Sequence, residues 1–385
     1  RSIVGRIERS RSRDRRASPV TTDPGPAAGG DAAGHAAGAY ADQPASEDSV
    51  AVPGRVRRAV GSARRMAAIG LTVRAQQRAS RAVDPGADLY HGMAYMGVPV
   101  ALALARPRRS PAVYDARDIY VDAGNLARLP GGVRRLLGRL ERGWARRADR
   151  VITVNQPYAD VMAERWAVEP PRVVMNCAYR TDPPDPAVRR FHGRLGLPPT
   201  TAVVLYHGGF SPGRGIEQLL DSIPHVPDAV LVFMGYGVMA ADLERRVRTP
   251  DLTGRAFVLP AVPPVELLDW VAAADVAAMP IQPTTLNHRL TTPNKLLEAI
   301  AVGVPVVASD LPGMAAIATE AGGELCDPED PLSIAAAIRR ILAEGPAERA
   351  ARRARALKVA HERYTWEAQM TGLLAEYGRL TGRPW

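Results

Sequence analysis

The chain has 385 residues, a formal charge of +10 and 46% hydrophobic residues. That is enough to bury the cores of two domains and too much for a wholly disordered chain. No apolar run approaches the roughly 18 residues of a membrane span, and Cys177 and Cys326 lack both metal-ligand spacing and the numbers for a disulfide framework.

Both cysteines are expected as reduced core residues. The positive charge is nearly all arginine, with Lys295 and Lys358 the only lysines. An arginine- and alanine-rich composition is weak evidence for any partner, and nucleic acid is not expected. The chain begins with Arg1 and shows no secretory signal, so its natural start is expected to be missing and its location to be cytoplasmic.

Residues 1–52 join the charge run Arg9–Arg16 to a Gly/Ala/Pro/Ser/Asp tract without apolar periodicity. They read as a disordered, basic, low-complexity segment. Arg55 to Val83 has a helical and very basic pattern. A solvated face is the ordinary reading; docking on an anionic membrane, at its inner face, is the functional one. Strands and helices then alternate. Asp88–His91, Ala112–Asp115, Val151–Val154 and Arg172–Met175 read as short strands with helices between them. Asp182–Pro186 is a stiff break, suited to a linker.

The rhythm restarts after the break. Strands are expected at Ala202–His207, Ala229–Met234, Ala256–Pro260, Val276–Ile281, Pro305–Ser309 and Gly323–Cys326, and helices from near Gly215, Met239, Pro264, Pro293, Met314 and Leu332. This predicts an α/β protein with two Rossmann-like, doubly wound parallel-sheet domains facing each other across a cleft. The first spans 53–187, the second 188–360, and 361–385 holds a separate terminal helix. A ligand belongs in the cleft, at the carboxyl ends of the strands.

Three segments carry chemistry. Tyr206–Gly215 follows the first strand of the second domain; Gly208 and Gly209 let a ligand approach the backbone, and Arg214 with a helix start can meet a diphosphate. Thr291–Asp310 reads as a helix and a buried strand, with Thr292 as N-cap and Pro293 as the first helical residue. Lys295 and Glu298 share one helix face beside Asn294, a cation and a carboxylate spaced for a phosphate and a hydroxyl of one ligand. Glu298 stands in an apolar run with no evident partner, which favours a site role. Arg117 and Asp118, at a first-domain strand end, either point into the cleft or form a structural ion pair. His91 ends the preceding strand and is an acceptor-side candidate or a structural histidine. Gly235-Tyr236-Gly237 ends another strand, where a base could approach the backbone. The chain has no HExxH, CxxC, P-loop or complete GxGxxG, which argues against ATP hydrolysis, hydride transfer and zinc hydrolysis.

Together these segments resemble the GT-B glycosyltransferases, specifically the family-4 class, the glycosyl transferases group 1. The resemblance runs from about Ala87 onward and is strongest over Ala202–Leu342. It is carried by Gly208-Gly209 through Arg214-Gly215, and by Pro293–Ala299 continuing into Gly303–Ser309. Asp115–Asp118, Ala148–Val154 and Asp327–Asp330 add to it, as does the helix of Trp366, which matches the family's crossover to the first domain.

The resemblance implies sugar transfer from a nucleotide diphosphate donor to an acceptor hydroxyl, with retention. Arg214 and Lys295 would act on the diphosphate and Glu298 on the ribose hydroxyls. The acceptor would be a glycan, a lipid-linked or a small molecule, as in cell-envelope polysaccharide synthesis, with no cofactor and no metal. The alternatives are a sugar-nucleotide epimerase on the same scaffold, or a non-catalytic sugar-nucleotide binder. The chain departs from the family in three places. Leu290 stands where the class has its first glutamate, Gly209 where a basic residue is common, and Arg117 where a histidine is usual. The first strand of the N-domain, with its glycine-rich loop, is not recognisable, so that domain is expected to be incomplete.

Overall fold

The computed structural model describes residues 54–385 except Pro186. The reading of residues 1–52 as a disordered segment lies outside these residues. Helix α1 (Gly54–Val83) forms where the basic helical pattern predicted it. Val73 is buried, Gln77 donates through Nε2 to the Pro99 carbonyl at 2.8 Å, and Arg64, Arg74, Arg78 and Arg81 stay exposed.

Four parallel strands follow, in the order β1 (Tyr90–Met93), β2 (Ala112–Ala116), β3 (Arg150–Thr153) and β4 (Arg172–Val173). They are linked by α2 (Ala94–Arg108), α3 (Gly124–Ala127), α4 (Gly131–Ala145) and α5 (Gln156–Trp166). The first strand starts two residues later than expected. Asp84 ties the preceding turn down by accepting from Gly86 N and from the Tyr90 hydroxyl. The fourth is shorter than expected, because Met175 N donates to the Gln369 side chain instead of a neighbouring strand.

Strand alternation gives the sheet two apolar faces. On one, Tyr114 and Val151 pack with Tyr158, Met162 and Trp166 of α5. On the other, Val113 and Ile152 pack against Leu373 and Tyr377. Those two belong to α15 (Trp366–Thr381), which returns to cover the first sheet as the crossover reading expected.

Helix α6 (Arg190–Leu195) leads into a second, six-stranded parallel sheet. Its strands are β5 (Ala202–Gly209), β6 (Ala229–Tyr236), β7 (Ala256–Pro260), β8 (Val276–Met279), β9 (Val306–Ser309) and β10 (Glu324–Cys326). The order is β10-β9-β8-β5-β6-β7, so the winding reverses between β5 and β8. Ligands of such sheets lie outside the strand ends at this reversal. The helices are α7 (Ile216–Ser222), α8 (Ala240–Arg246), α9 (Leu267–Ala272), α10 (Leu286–Leu290), α11 (Asn294–Ala301), α12 (Ala315–Glu320), α13 (Pro331–Leu342) and α14 (Pro346–Arg363). Cys177 and Cys326 are free and buried, and burial pushes both thiols up to about 12.

Candidate functional site

The glycine loop leaves the carboxyl end of β5. Gly208 has φ +108°, a left-handed conformation that favours glycine. A Cβ on Gly215 would lie 1.7 Å from the Pro280 carbonyl oxygen, so no side chain fits there.

Lys295 stands in the first turn of α11, beside Gly208. Its Nζ lies 3.4 Å from the centroid of the fully buried Tyr206 ring. A cation over an aromatic face is attracted by the ring quadrupole. Burial holds the Lys295 amine well below the usual lysine range; Arg214 pushes it further down and Glu298 opposes. Arg214 makes no hydrogen bond or ion pair with the described residues, yet its charge acts on Lys295, His288, Tyr206 and Asp118. Arg214 and Lys295 therefore stand close enough to act on each other, with the Glu298 carboxylate opposing that repulsion at the amine. Asn294 is exposed at the start of the same helix.

The expectation that Glu298 lacks a partner is corrected. His207 Nε2 lies 2.8 Å from Glu298 Oε2. His207 is 3% exposed, so this contact fixes the carboxylate from inside the domain. Thr292 is not the N-cap either: Pro293 occupies that position. The Thr292 hydroxyl instead donates to the Gly313 carbonyl at 2.5 Å and accepts from Asn155 Nδ2 at 3.1 Å.

Asn155, the N-cap of α5, also donates to the Leu290 carbonyl at 2.8 Å. Leu290 is buried in the core of the first sheet, with Val98, Tyr114 and Trp166. The position where the family resemblance led us to expect a glutamate thus serves packing between the two halves. Asn287 makes a second bridge. Its Oδ1 accepts from Ile119 N at 2.9 Å, and its Nδ2 donates to Asp118 Oδ1 at 3.1 Å. Burial raises the Asp118 carboxyl above the usual range, while Asn287, Arg214 and Arg117 pull it back. Arg117 is exposed beside it.

Of the two readings of His91, the contacts fit the structural one. Its Nδ1 contacts the Tyr377 hydroxyl of α15 and its Nε2 lies 3.4 Å from Asp115 Oδ2 of β2, so both ring nitrogens have partners within the fold. Tyr236 is exposed at the end of β6, in register with Gly209 and next to Gly235.

Four contributors had no role in the sequence reading: His207, Asn155, Asn287 and His288. The Thr284 hydroxyl is 2.8 Å from His288 Nδ1, and burial, with Arg214, lowers His288 to about 4. A signal existed for each. His207 lies inside the glycine motif, Asn155 caps the helix straight after β3, and residues 284–288 follow the carboxyl end of β8.

Two family models match the chain: "Glycosyl transferase 4-like domain" over residues 25–178 and "Glycosyl transferases group 1" over residues 201–344. Together they cover well over half of it. The chain belongs to the group 1 glycosyltransferase family. It is 30% identical over 227 residues to D-inositol 3-phosphate glycosyltransferase of Xylanimonas cellulosilytica, covering 57% of this chain and 52% of that protein. It is 30% identical over 265 residues to the enzyme of that name from Segniliparus rotundus, covering 65% and 56%. The chain thus spans little more than half the length of these curated relatives. Sucrose-phosphate synthase from Thermosynechococcus elongatus superposes with a TM-score of 0.64 at 24% identity, over 79% of this chain and 76% of that one. HepE from Anabaena, solved with UDP and glucose, gives 0.63 at 19% identity, over 80% and 82%. These likenesses show the GT-B fold of the family, with the glycine loop and α11 inside the group 1 match.

Within this glycosyltransferase framework Glu298 is open to a direct test. Glu298→Gln keeps the size of the side chain and an acceptor for His207, so the protein should stay folded. It removes a charged acceptor, and nucleotide diphosphate should bind roughly tenfold or more weakly. Calorimetry with UDP and GDP measures this; unchanged affinity for whichever nucleotide binds the wild type would remove Glu298 from the site.

Proposed function

We propose that this chain transfers a sugar from a nucleotide diphosphate donor to an acceptor hydroxyl, with retention of anomeric configuration. The observation that carries the proposal is the Lys295 amine beside Gly208 at the start of α11, with Arg214 close enough to act on it. A helix start with free N–H groups and two cations suits a diphosphate. Glu298, one turn deeper and braced by His207, suits ribose hydroxyls. Gly208, Gly209, Gly235 and Tyr236 supply an approach for the base at the ends of β5 and β6, and Arg117 and Asp118 form the acceptor edge.

In the reaction the bond from the anomeric carbon to the diphosphate oxygen breaks, and its electron pair goes to that oxygen. Arg214, Lys295 and the α11 amides offset the charge as it develops, the stage at which fixed donors act most strongly. The acceptor oxygen forms the new bond, and its proton passes to the departing diphosphate oxygen, the base that the step itself creates. The protein cations do the work that a divalent metal would otherwise do.

The relatives' printed name, with the UDP and glucose bound by one structural neighbour, supports a nucleotide-sugar donor and a small hydroxylated acceptor. A glycan or lipid-linked acceptor would place the reaction in cell-envelope synthesis. No helix among the described residues is long and apolar enough to cross a membrane. A cytoplasmic location, with the exposed arginines of α1 near an anionic surface, belongs to the same proposal.

The test is a panel of nucleotide sugars with and without polyol and sugar acceptors. Nucleotide should be released only when an acceptor is present, at a rate unchanged by EDTA. Release without acceptor, with an altered free sugar, would make the chain an epimerase. Donor binding without turnover would make it a non-catalytic binder.

A further inference from the structure

A second concave site lies away from the donor cleft, in the groove between α4 and α5. It encloses about 250 Å³ and is lined by Arg135, Arg139, Glu141 and Arg142 of α4, Arg165 and Trp166 of α5, and other side chains including Met162. None of the donor-site residues named above lines it.

Its charges are unbalanced. Asp122 pairs with Arg165 at 2.6 Å and also with Arg134, which leaves one carboxylate shared by two guanidinium groups. Arg135, Arg139 and Arg142 are exposed, and their side chains have no hydrogen bond or ion pair among the described residues. The one acid in the lining is Glu141, 4% exposed, whose Oε1 accepts from the Tyr114 hydroxyl at 2.7 Å. Its other oxygen has no partner among the described residues. Burial raises the Glu141 carboxyl to about 7; the Tyr114 hydrogen bond and Arg165 pull it down and Asp122 pushes it up. A carboxyl in that range can be protonated beside an anion and donate to it.

We propose that this groove binds the phosphate group of a small phosphorylated molecule. The guanidinium groups supply planar, charge-assisted donors matched to phosphate oxygens. Glu141 can hydrogen-bond a hydroxyl or a phosphate oxygen, and Met162 and Trp166 give an apolar wall for a carbon skeleton. The volume lies below the roughly 300–1,000 Å³ typical of drug-sized ligands, which favours a small ligand. Ile119 also lines the groove, and its N–H bonds Asn287, so occupancy would bear on the loop that carries Asp118.

The experiment is calorimetry of the full chain with glycerol phosphate, against sodium chloride of matched ionic strength. The wild type should bind, and the double variant Arg139→Gln/Arg142→Gln should bind at least tenfold more weakly. Both arginines are exposed, so the variant should fold, and its unchanged melting temperature and nucleotide affinity would confirm this. A second arm uses vesicles of phosphatidylglycerol and of phosphatidylcholine. If phosphatidylglycerol vesicles bind with the same arginine dependence and glycerol phosphate does not, the site stands and its phosphate is a lipid headgroup's. Equal binding by wild type and double variant, or binding of neither ligand, would overturn the proposal.

Discussion

Lys295→Ala and Arg214→Ala should each cut turnover roughly a hundredfold to a thousandfold without unfolding the protein, the usual cost of removing a fixed donor from a developing oxyanion. The loss should fall mainly on kcat, because the charge being met is largest in the transition state. Both cations act on one leaving group, so the double variant should lose less than the product of the single losses. Full activity in either single variant would take that residue out of the site.

Lys295 also carries a pH signature. In the free protein its amine is held well below the usual lysine range, chiefly by burial and then by Arg214. A bound diphosphate favours the charged amine and raises it again. Nucleotide binding should therefore take up a proton, and affinity should fall as pH rises above the free-state value. Folding shows the opposite sign: the unfolded chain binds more protons at this lysine than the free folded one, so the lysine's contribution to stability grows as pH rises toward the usual lysine range. Calorimetry in buffers of different ionisation enthalpy reads the uptake, and Lys295→Ala should abolish it.

The second large effect is at Leu290. The resemblance to the family implies that Leu290→Glu would restore a lost sugar contact. The structure predicts damage instead, because this side chain is buried in the first-sheet core. An unpaired carboxylate there should cost more than about 3 kcal/mol. A clear drop in melting temperature with no gain in activity is the expected result. An active, stable Leu290→Glu protein would show that the side chain can turn to the cleft.

Much of the fold was legible because its cues are local. Glycines after strands, a short gap between Lys295 and Glu298, and buried valine runs depend only on neighbouring residues. The crossover helix was legible through its amphipathic pattern and its likeness to the family. The partner of Glu298 was not, since His207 lies 91 residues away and meets it only once β5 and α11 pack together. Asn155 and Asn287 were hidden for the same reason: their amides bridge the two halves across 135 and 168 residues. His91 stayed open between two roles because a strand end looks alike whether it faces a ligand or a returning helix. Leu290 misled because a missing glutamate suggests lost function, whereas here the position has another use.

The returning helix has a consequence for how the protein is made. Val113 and Ile152 are sealed by Leu373 and Tyr377, and Glu376 lies near Arg150 and Arg172. His91 waits for a partner 286 residues further along the chain. At synthesis rates of about 5–20 residues per second, that is roughly 15–60 seconds in which one face of the first sheet stays bare. The second sheet can be made and packed in that interval. The half of the molecule that is made first is thus the half finished last, and its bare face is the one exposed to wrong contacts while the rest of the chain is made.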